Sequence, residues 1–428
     1  MPSPITLFLQ KNLLRSAFVK NVITLMTGTG LAQIVPILAA PLLTRLFTPA
    51  DYGIMTLYTS VVGIVSLVAT GMYVHAIILG RNNAEASNAL GLSLLLTTIV
   101  SLVTLAVVAP LGGQIARWLI EASIEPWLYL VPLSVFLTGA AQSLNYWWNR
   151  QQQYRLLASS RVMSSVSGTG TQVGLGYAST GGAGLIAGTF IGQIVALLMM
   201  VVPLWPARQL FRQELSWSGV KGQARQHKNL PLYLLPAEFI NVLINRTPIF
   251  FLTIFATADA VGFYGFALRI LGLPTSLLAA SVSDVFRERA NSDYVEHGNC
   301  LAIYVKTLKS LTLLAIGPFV LLFVAAPALF AFVFGEQWRP AGEYTRWLSI
   351  MYFAGFVSSP LSYVYYIAGK QREDLFLHVY MTVSTSIVMY VGHRLFVETV
   401  YVVLLFSLNY TIIYLIYLLR SYTFAKGS

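Results

Sequence analysis

Apolar runs of membrane-span length recur along the whole chain. A hydrocarbon core about 30 Å thick takes roughly 20 apolar residues to cross as an α-helix. Such runs fall at 22–43, 54–79, 89–111, 127–148, 162–177, 183–205, 232–255, 261–286, 308–330, 344–367, 375–391 and 399–419. The pattern predicts an all-α polytopic membrane protein with twelve transmembrane helices. The first segment, MPSPITLFLQKNLLRSAFVK, lacks the small-residue cleavage pattern of a signal peptide, so helix 1 is expected to be retained.

Composition narrows the function classes. Charged residues make up 10% of the 428 positions and hydrophobic ones 56%, whereas a soluble domain is about 25% charged. With a mean hydropathy of +0.69, a soluble globular enzyme is excluded. Cys300 is the only cysteine, which excludes a disulfide scaffold and leaves redox chemistry nothing to use. No Cys/His cluster has metal-ligand spacing, and no Gly-rich stretch is followed by the Lys-Ser/Thr pair of a P-loop. No metal, no cofactor and no ATP site are expected.

The formal charge of +11 would suit nucleic acid, but its placement gives a different explanation. With both termini in the cytoplasm, 20 of the 27 Lys+Arg fall on the inside. Arg45, Arg117, Arg339, Arg346 and Arg394 fall outside or at outer span ends, and Arg246 and Arg269 fall well within spans. That asymmetry obeys the positive-inside rule and sets the expected orientation. Membrane lipids, not nucleic acid, are the expected surroundings.

The longest polar stretch, Pro206 to Pro231, separates six spans from six. It predicts two lobes, 1–215 with helices 1 to 6 and 216–428 with helices 7 to 12. A weak internal match supports duplication: LTRLFTPADYG (Leu43 to Gly53) against LTIFATADAVG (Leu252 to Gly262), at an offset of 209. Leu43/Leu252, Thr44/Thr253, Thr48/Thr257 and Gly53/Gly262 coincide. In the first copy Thr48-Pro49-Ala50-Asp51 reads as a helix start, with an N-cap, a proline at the first helical position and an acid at the third. Two equal halves in parallel orientation are a transporter design, with the path at the seam. Pro36 and Pro41 in helix 1 and Pro236 and Pro248 in helix 7 suit hinges, although membrane helices often carry proline without one. The Gly/Ser-rich helix 5 (VSGTGTQVGLGY) reads as close helix packing.

Charge within spans concentrates in helices 7 and 8. A basic side chain at mid-membrane costs about 2.5–3.5 kcal/mol on insertion scales, so each needs a partner, a wet cavity or a purpose. On helix 7, Glu238, Asn241, Asn245 and Arg246 fall at about 0°, 300°, 340° and 80°, one face at about 100° per residue. On helix 8, Arg269, Ser276, Ser283 and Asp284 share a similar arc. Arg246 and Arg269 lie about 14 and 12 Å from the outer ends of their helices, and Glu238 lies about 12 Å deeper. Two cations at one level without an evident acid suit an anion. The alternative is that Arg246 bonds backbone carbonyls freed by Pro248. Glu238 and Asp284 are the acids available for ion coupling. His75 and His378 read as packing or interface residues, and the Trp residues as interfacial belts. Asn145, Tyr146 and Gln33 can offer hydrogen bonds to glycan hydroxyls.

Four segments carry a family resemblance: APLLTRLFTPADYGIMTLY (Ala40 to Tyr58), NLPLYLLPAEFINVLI (Asn229 to Ile244), VGFYGFALRILGLPTSLLAASVSDVF (Val261 to Phe286) and FGEQWRPAGEYTRWLS (Phe334 to Ser349), with GKQRED (Gly369 to Asp374) after helix 10. In order and over nearly the whole chain they resemble Wzx-type O-antigen and polysaccharide flippases, of the multidrug/oligosaccharidyl-lipid/polysaccharide exporter superfamily. The resemblance implies a V of two six-helix lobes that opens alternately to each side. The implied substrate is an undecaprenyl-pyrophosphate-linked oligosaccharide, moved from the cytoplasmic to the periplasmic leaflet of the bacterial inner membrane, with glycan polymerase machinery as a further partner. Pyrophosphate would meet Arg246 and Arg269, and sugars Asn241 and Asn245. In YVHAIIL (Tyr73 to Leu79) relatives often carry an acid after the tyrosine, where this chain has Val74. Two alternatives stand beside it. An ion-coupled multidrug exporter of the same fold calls for an acid-lined aromatic cavity, against which two cavity arginines argue. A membrane polysaccharide polymerase, an enzyme, calls for a large outer loop, and the outer loops here are short.

Overall fold

The structure, a computed structural model, describes residues 24–119, 121–205, 214–274 and 280–427. All regular secondary structure among them is helical. The chain forms two compact units, Met1–Leu46 with Tyr58–Leu243, and Phe47–Leu57 with Ile244–Ser428.

In the first unit, α1 (Thr24–Leu46) is interrupted by a turn at Ala39, between Pro36 and Pro41. Helix α2 (Pro49–Ala69) starts in the second unit and continues into the first. The single helix expected over 54–79 is broken. Residues Thr70–Tyr73 form a turn in which Gly71 has φ +56° and Met72 φ +62°, and the chain resumes as α3 (Val74–Leu79). A positive φ at methionine is disfavoured by its Cβ, and the break persists because the surrounding packing over-determines it. The carbonyls of Ile78 and Gly80, left open at the end of α3, accept hydrogen bonds from Arg150 Nη1 at 3.3 and 2.7 Å.

Helix α4 (Asn83–Trp118) is capped at its start: Asn82 accepts from the Glu85 N–H at 2.8 Å, and Glu85 accepts at 2.8 Å from the N–H of Arg81, the residue before the cap. Next come α5 (Val131–Arg150), α6 (Tyr154–Tyr177), α7 (Gly182–Val201) and α8 (Trp217–Gln226). Close packing of α6 on α7 rests on Gly168, Gly188 and Gly192, where a Cβ would press on the opposing backbone. Gly170 and Gly174 face open space. Such small-residue contact matters in a bilayer, where van der Waals packing replaces the hydrophobic effect between helices.

A π-helical turn, Leu230–Leu234, leads into α9 (Leu235–Phe255), which passes from the first unit to the second. The second unit continues with α10 (Ala258–Pro274), α11 (Ala280–His297), α12 (Leu301–Phe334), α13 (Arg339–Leu361), α14 (Gln371–Leu395) and α15 (Thr399–Ala425). Residues 275–279, inside the expected helix 8, lie outside the described residues. Eight helices among the described residues are long and apolar enough to cross a membrane alone, and a bent pair, Ala122–Leu128 with Val131–Arg150, makes a ninth. Helices α6 and α13 fall short for physical reasons: α6 is rich in Ser, Thr and Gly, and α13 opens with Arg339, Glu343 and Arg346.

The duplicated segments meet inside the second unit. Thr48 and Asp51 cap α2 reciprocally: the Thr48 N–H and hydroxyl donate to Asp51 Oδ2 at 2.9 and 2.8 Å, and the Asp51 N–H donates to Thr48 Oγ1 at 3.2 Å. In the second copy the Ala260 N–H donates to Thr257 Oγ1 at 3.2 Å. A Cβ on Gly53 would overlap the Ala258 carbonyl oxygen, and one on Gly262 that of Pro49. A Cβ on Gly265 would overlap the Thr56 side chain. These pairs map onto one another under the same offset, so a local pseudo-two-fold axis passes between Thr56 and Gly265. Tyr52 closes the crossing, edge-on to Phe266 at 5.5 Å and to Trp338 at 5.0 Å between ring centroids.

Candidate functional site

Helix α9 carries Glu238, Asn241, Asn245 and Arg246. Asn241 and Asn245 are exposed, and Glu238 and Arg246 are partly buried, while Ile244, Pro248 and Ile249 pack inward. The unit boundary between Leu243 and Ile244 divides the stripe, with Glu238 and Asn241 before it and Asn245 and Arg246 after it.

In the first unit Glu238 meets two residues from other helices. The His75 ring, just past the break in helix 2, lies edge-on to Tyr146 of α5 at 5.1 Å between centroids. The Glu238 carboxylate is near enough for its charge to act on both. An acid, an imidazole and a phenol from three helices thus share one neighbourhood. Sequence reasoning had kept them apart, because nothing in the spacing signals the break that positions His75.

In the second unit each arginine stands near a tyrosine of another helix. Arg246 acts electrostatically on Tyr264 of α10, which is fully buried. Arg269 acts on Tyr52 of α2, whose hydroxyl is buried and has no hydrogen-bond partner among the described residues. Counted along their helices, Arg246 is about 14 Å and Arg269 about 16 Å from the α9–α10 turn. Arg269 lies deeper than expected because α10 starts at Ala258. Among the described residues neither Glu238 nor Arg269 takes part in an ion pair. Asp284 belongs to α11, and its side chain lies outside the described residues.

Three features escaped the sequence reading. Tyr52 directly follows the Thr48–Asp51 capping motif and carries no signal of its own in sequence. Arg161, expected in a cytoplasmic loop, lies in the second turn of α6, because that helix starts at Tyr154; its Nη1 donates to Thr29 Oγ1 at 2.5 Å. Asp374, in the GKQRED motif, is buried and accepts from Tyr417 at 3.1 Å and Tyr366 at 3.2 Å, with His378 Nδ1 3.5 Å away. That group ties the start of α14 to α15.

No curated protein matches this sequence. Solved structures share the fold. An inward-facing multidrug resistance MATE family transporter of the MOP superfamily is 16% identical with a TM-score of 0.65, over 93% of this chain and 93% of that one. The MATE multidrug transporter DinF-BH is 16% identical with a TM-score of 0.65, over 96% and 95%. The lipid II flippase MurJ, in an inward closed conformation, is 15% identical with a TM-score of 0.67, over 94% and 87%. At such identities the likeness speaks for the fold, the two-lobe twelve-helix architecture of that superfamily. The sequence itself carries the family assignment: matched across residues 42–343, this chain belongs to the family of polysaccharide biosynthesis proteins.

Proposed function

We propose that this protein is a flippase that moves an undecaprenyl-pyrophosphate-linked oligosaccharide, an O-antigen or related repeat unit, from the cytoplasmic to the periplasmic leaflet of a bacterial inner membrane. The family match carries the reading, because it spans the whole stretch that holds Arg246 and Arg269. The fold it shares with a lipid II flippase supports it. In this reading the lobes are 1–215 and 216–428, with α8, just past that boundary, packed on the first unit; both termini are cytoplasmic, and the lobes move by alternating access.

Arg246 and Arg269 bind the pyrophosphate. A guanidinium presents a planar fork of N–H donors that matches phosphate oxygens, and it keeps its charge at mid-membrane. Asn241 and Asn245, exposed on the same helix, serve the sugar hydroxyls, and the lipid tail stays in the bilayer. Glu238 is the coupling acid, with His75 as the neighbouring base that can share its proton, and Asp284 is a second acid on α11. Glycan polymerase machinery is the downstream partner.

The test is a strain lacking this protein. Lipid-linked repeat units should accumulate on the cytoplasmic leaflet and return to normal export on complementation. Undiminished export without the protein would remove the flippase reading.

A further inference from the structure

The polar stretch between α7 and α9 contains α8, a helix fastened by one side. Ser216 N–H donates to Asn88 Oδ1 at 2.9 Å, Asn88 Nδ2 donates to the Glu214 carbonyl at 3.0 Å, and Ser87 Oγ donates to Glu214 Oε2 at 2.8 Å. At the other end Tyr73 donates to the Ala224 carbonyl at 3.1 Å. Val220 packs with Tyr73 and Leu92, and a Cβ on Gly219 would press on Asn88.

The opposite side is unlike this one. Trp217, Lys221 and Arg225 fall at about 0°, 40° and 80° around the helix, while buried Val220 and Gln223 fall at about 300° and 240°. All three stripe residues are exposed, Trp217 to 61%. Lys221 Nζ stands 5.3 Å from the Trp217 ring centroid. Lys228 follows in the next turn, and no Asp or Glu occurs from Trp217 to Lys228.

The level of the docking site is also informative. Helix α4 is 36 residues long, about 54 Å, so about 12 Å extends beyond each side of a core of about 30 Å. Asn88 and Leu92 sit where that overhang ends. A helix held there has its free stripe at headgroup depth, where tryptophan partitions and basic residues meet anionic lipid.

We propose that α8 is an in-plane surface helix whose Trp217–Lys221–Arg225 stripe seats on anionic phospholipid headgroups, holding the first unit at a fixed depth. The proposal does not depend on the identity of the transported substrate. Its test uses the full-length protein with Gly222→Cys, a position facing open space beside Lys221, carrying a nitroxide. The protein is placed in nanodiscs of phosphatidylcholine alone or mixed with an equal part of phosphatidylglycerol. With phosphatidylglycerol the label should show headgroup depth by oxygen and nickel collision rates, and Lys221→Glu with Arg225→Glu should shift it to the aqueous phase. Native mass spectrometry of retained phosphatidylglycerol should show roughly fivefold weaker binding for Lys221→Gln alone. A label that stays aqueous with phosphatidylglycerol present, or that keeps its depth after charge reversal, overturns the proposal.

Discussion

Gly53 and Gly262 each make room for a carbonyl of the other sequence copy, Gly53 for Ala258 and Gly262 for Pro49. A faint repeat in the sequence is thus a reciprocal contact in the fold, with its axis between Thr56 and Gly265. No side chain larger than hydrogen fits at either glycine without moving backbone.

Gly53→Ala and Gly262→Ala should therefore destabilise by similar amounts. Overpacking costs about 1–3 kcal/mol, which outweighs the gain of up to about 1 kcal/mol for alanine over glycine in a helix. Gly170→Ala, with open space around it, should be neutral or mildly stabilising. Thermal unfolding in detergent checks all three. Equal midpoints for Gly53→Ala and the wild type would mean the crossing is loosely packed.

Cys300 should be silent toward thiol reagents in the native protein. It is 1% exposed, and burial, helped by the charge of Asp293, pushes its thiol up to about 11. The thiolate is the reactive form, so at pH 7.5 its fraction is on the order of 10⁻³ or less. Labelling should rise only as the pH approaches that value or on unfolding. One maleimide should add per chain in denaturant and none before it.

That silence makes the wild type a clean background for topology. Val295→Cys on α11 and Val397→Cys between α14 and α15 are both strongly exposed. With cytoplasmic termini, an impermeant reagent added from the periplasm should reach the cysteine at 397 and spare the one at 295. The reverse pattern would invert the orientation.

Glu238→Gln should abolish the dependence of export on a proton gradient, and His75→Gln should weaken it, since the two share a neighbourhood with Tyr146. Full proton dependence retained by Glu238→Gln would remove that acid from coupling.

The spans were legible because hydrophobic length is a one-dimensional property, and the Thr48–Asp51 cap because its chemistry is local. The break at Thr70–Tyr73 was not legible: it depends on positive φ at Gly71 and Met72, and a methionine gives no local signal of that. Arg161 was misplaced because the polar start of α6 reads as loop, although a half-buried arginine can keep its helix by bonding to Thr29. Arg246 and Arg269 stood out as charges in apolar runs, whereas Tyr52, an ordinary aromatic in sequence, becomes notable only through a buried hydroxyl without a hydrogen-bond partner among the described residues. Asp374 falls between expected spans, and its surroundings are complete only when Tyr417, 43 residues away, joins the nearby Tyr366 and His378.

The central claim is that Arg246 and Arg269 hold the pyrophosphate, and its most direct measurement is translocation of an undecaprenyl-pyrophosphate-linked oligosaccharide in proteoliposomes. Arg246→Ala and Arg269→Ala should each lower substrate binding roughly 10- to 100-fold, the scale of a lost charge-assisted hydrogen bond, and should stop translocation. Arg→Lys at either site should retain part of both, because a point charge still attracts phosphate without the bidentate fork. If both alanine variants insert normally and translocate at the wild-type rate, the anion site is wrong and the arginines serve the packing of their own helices.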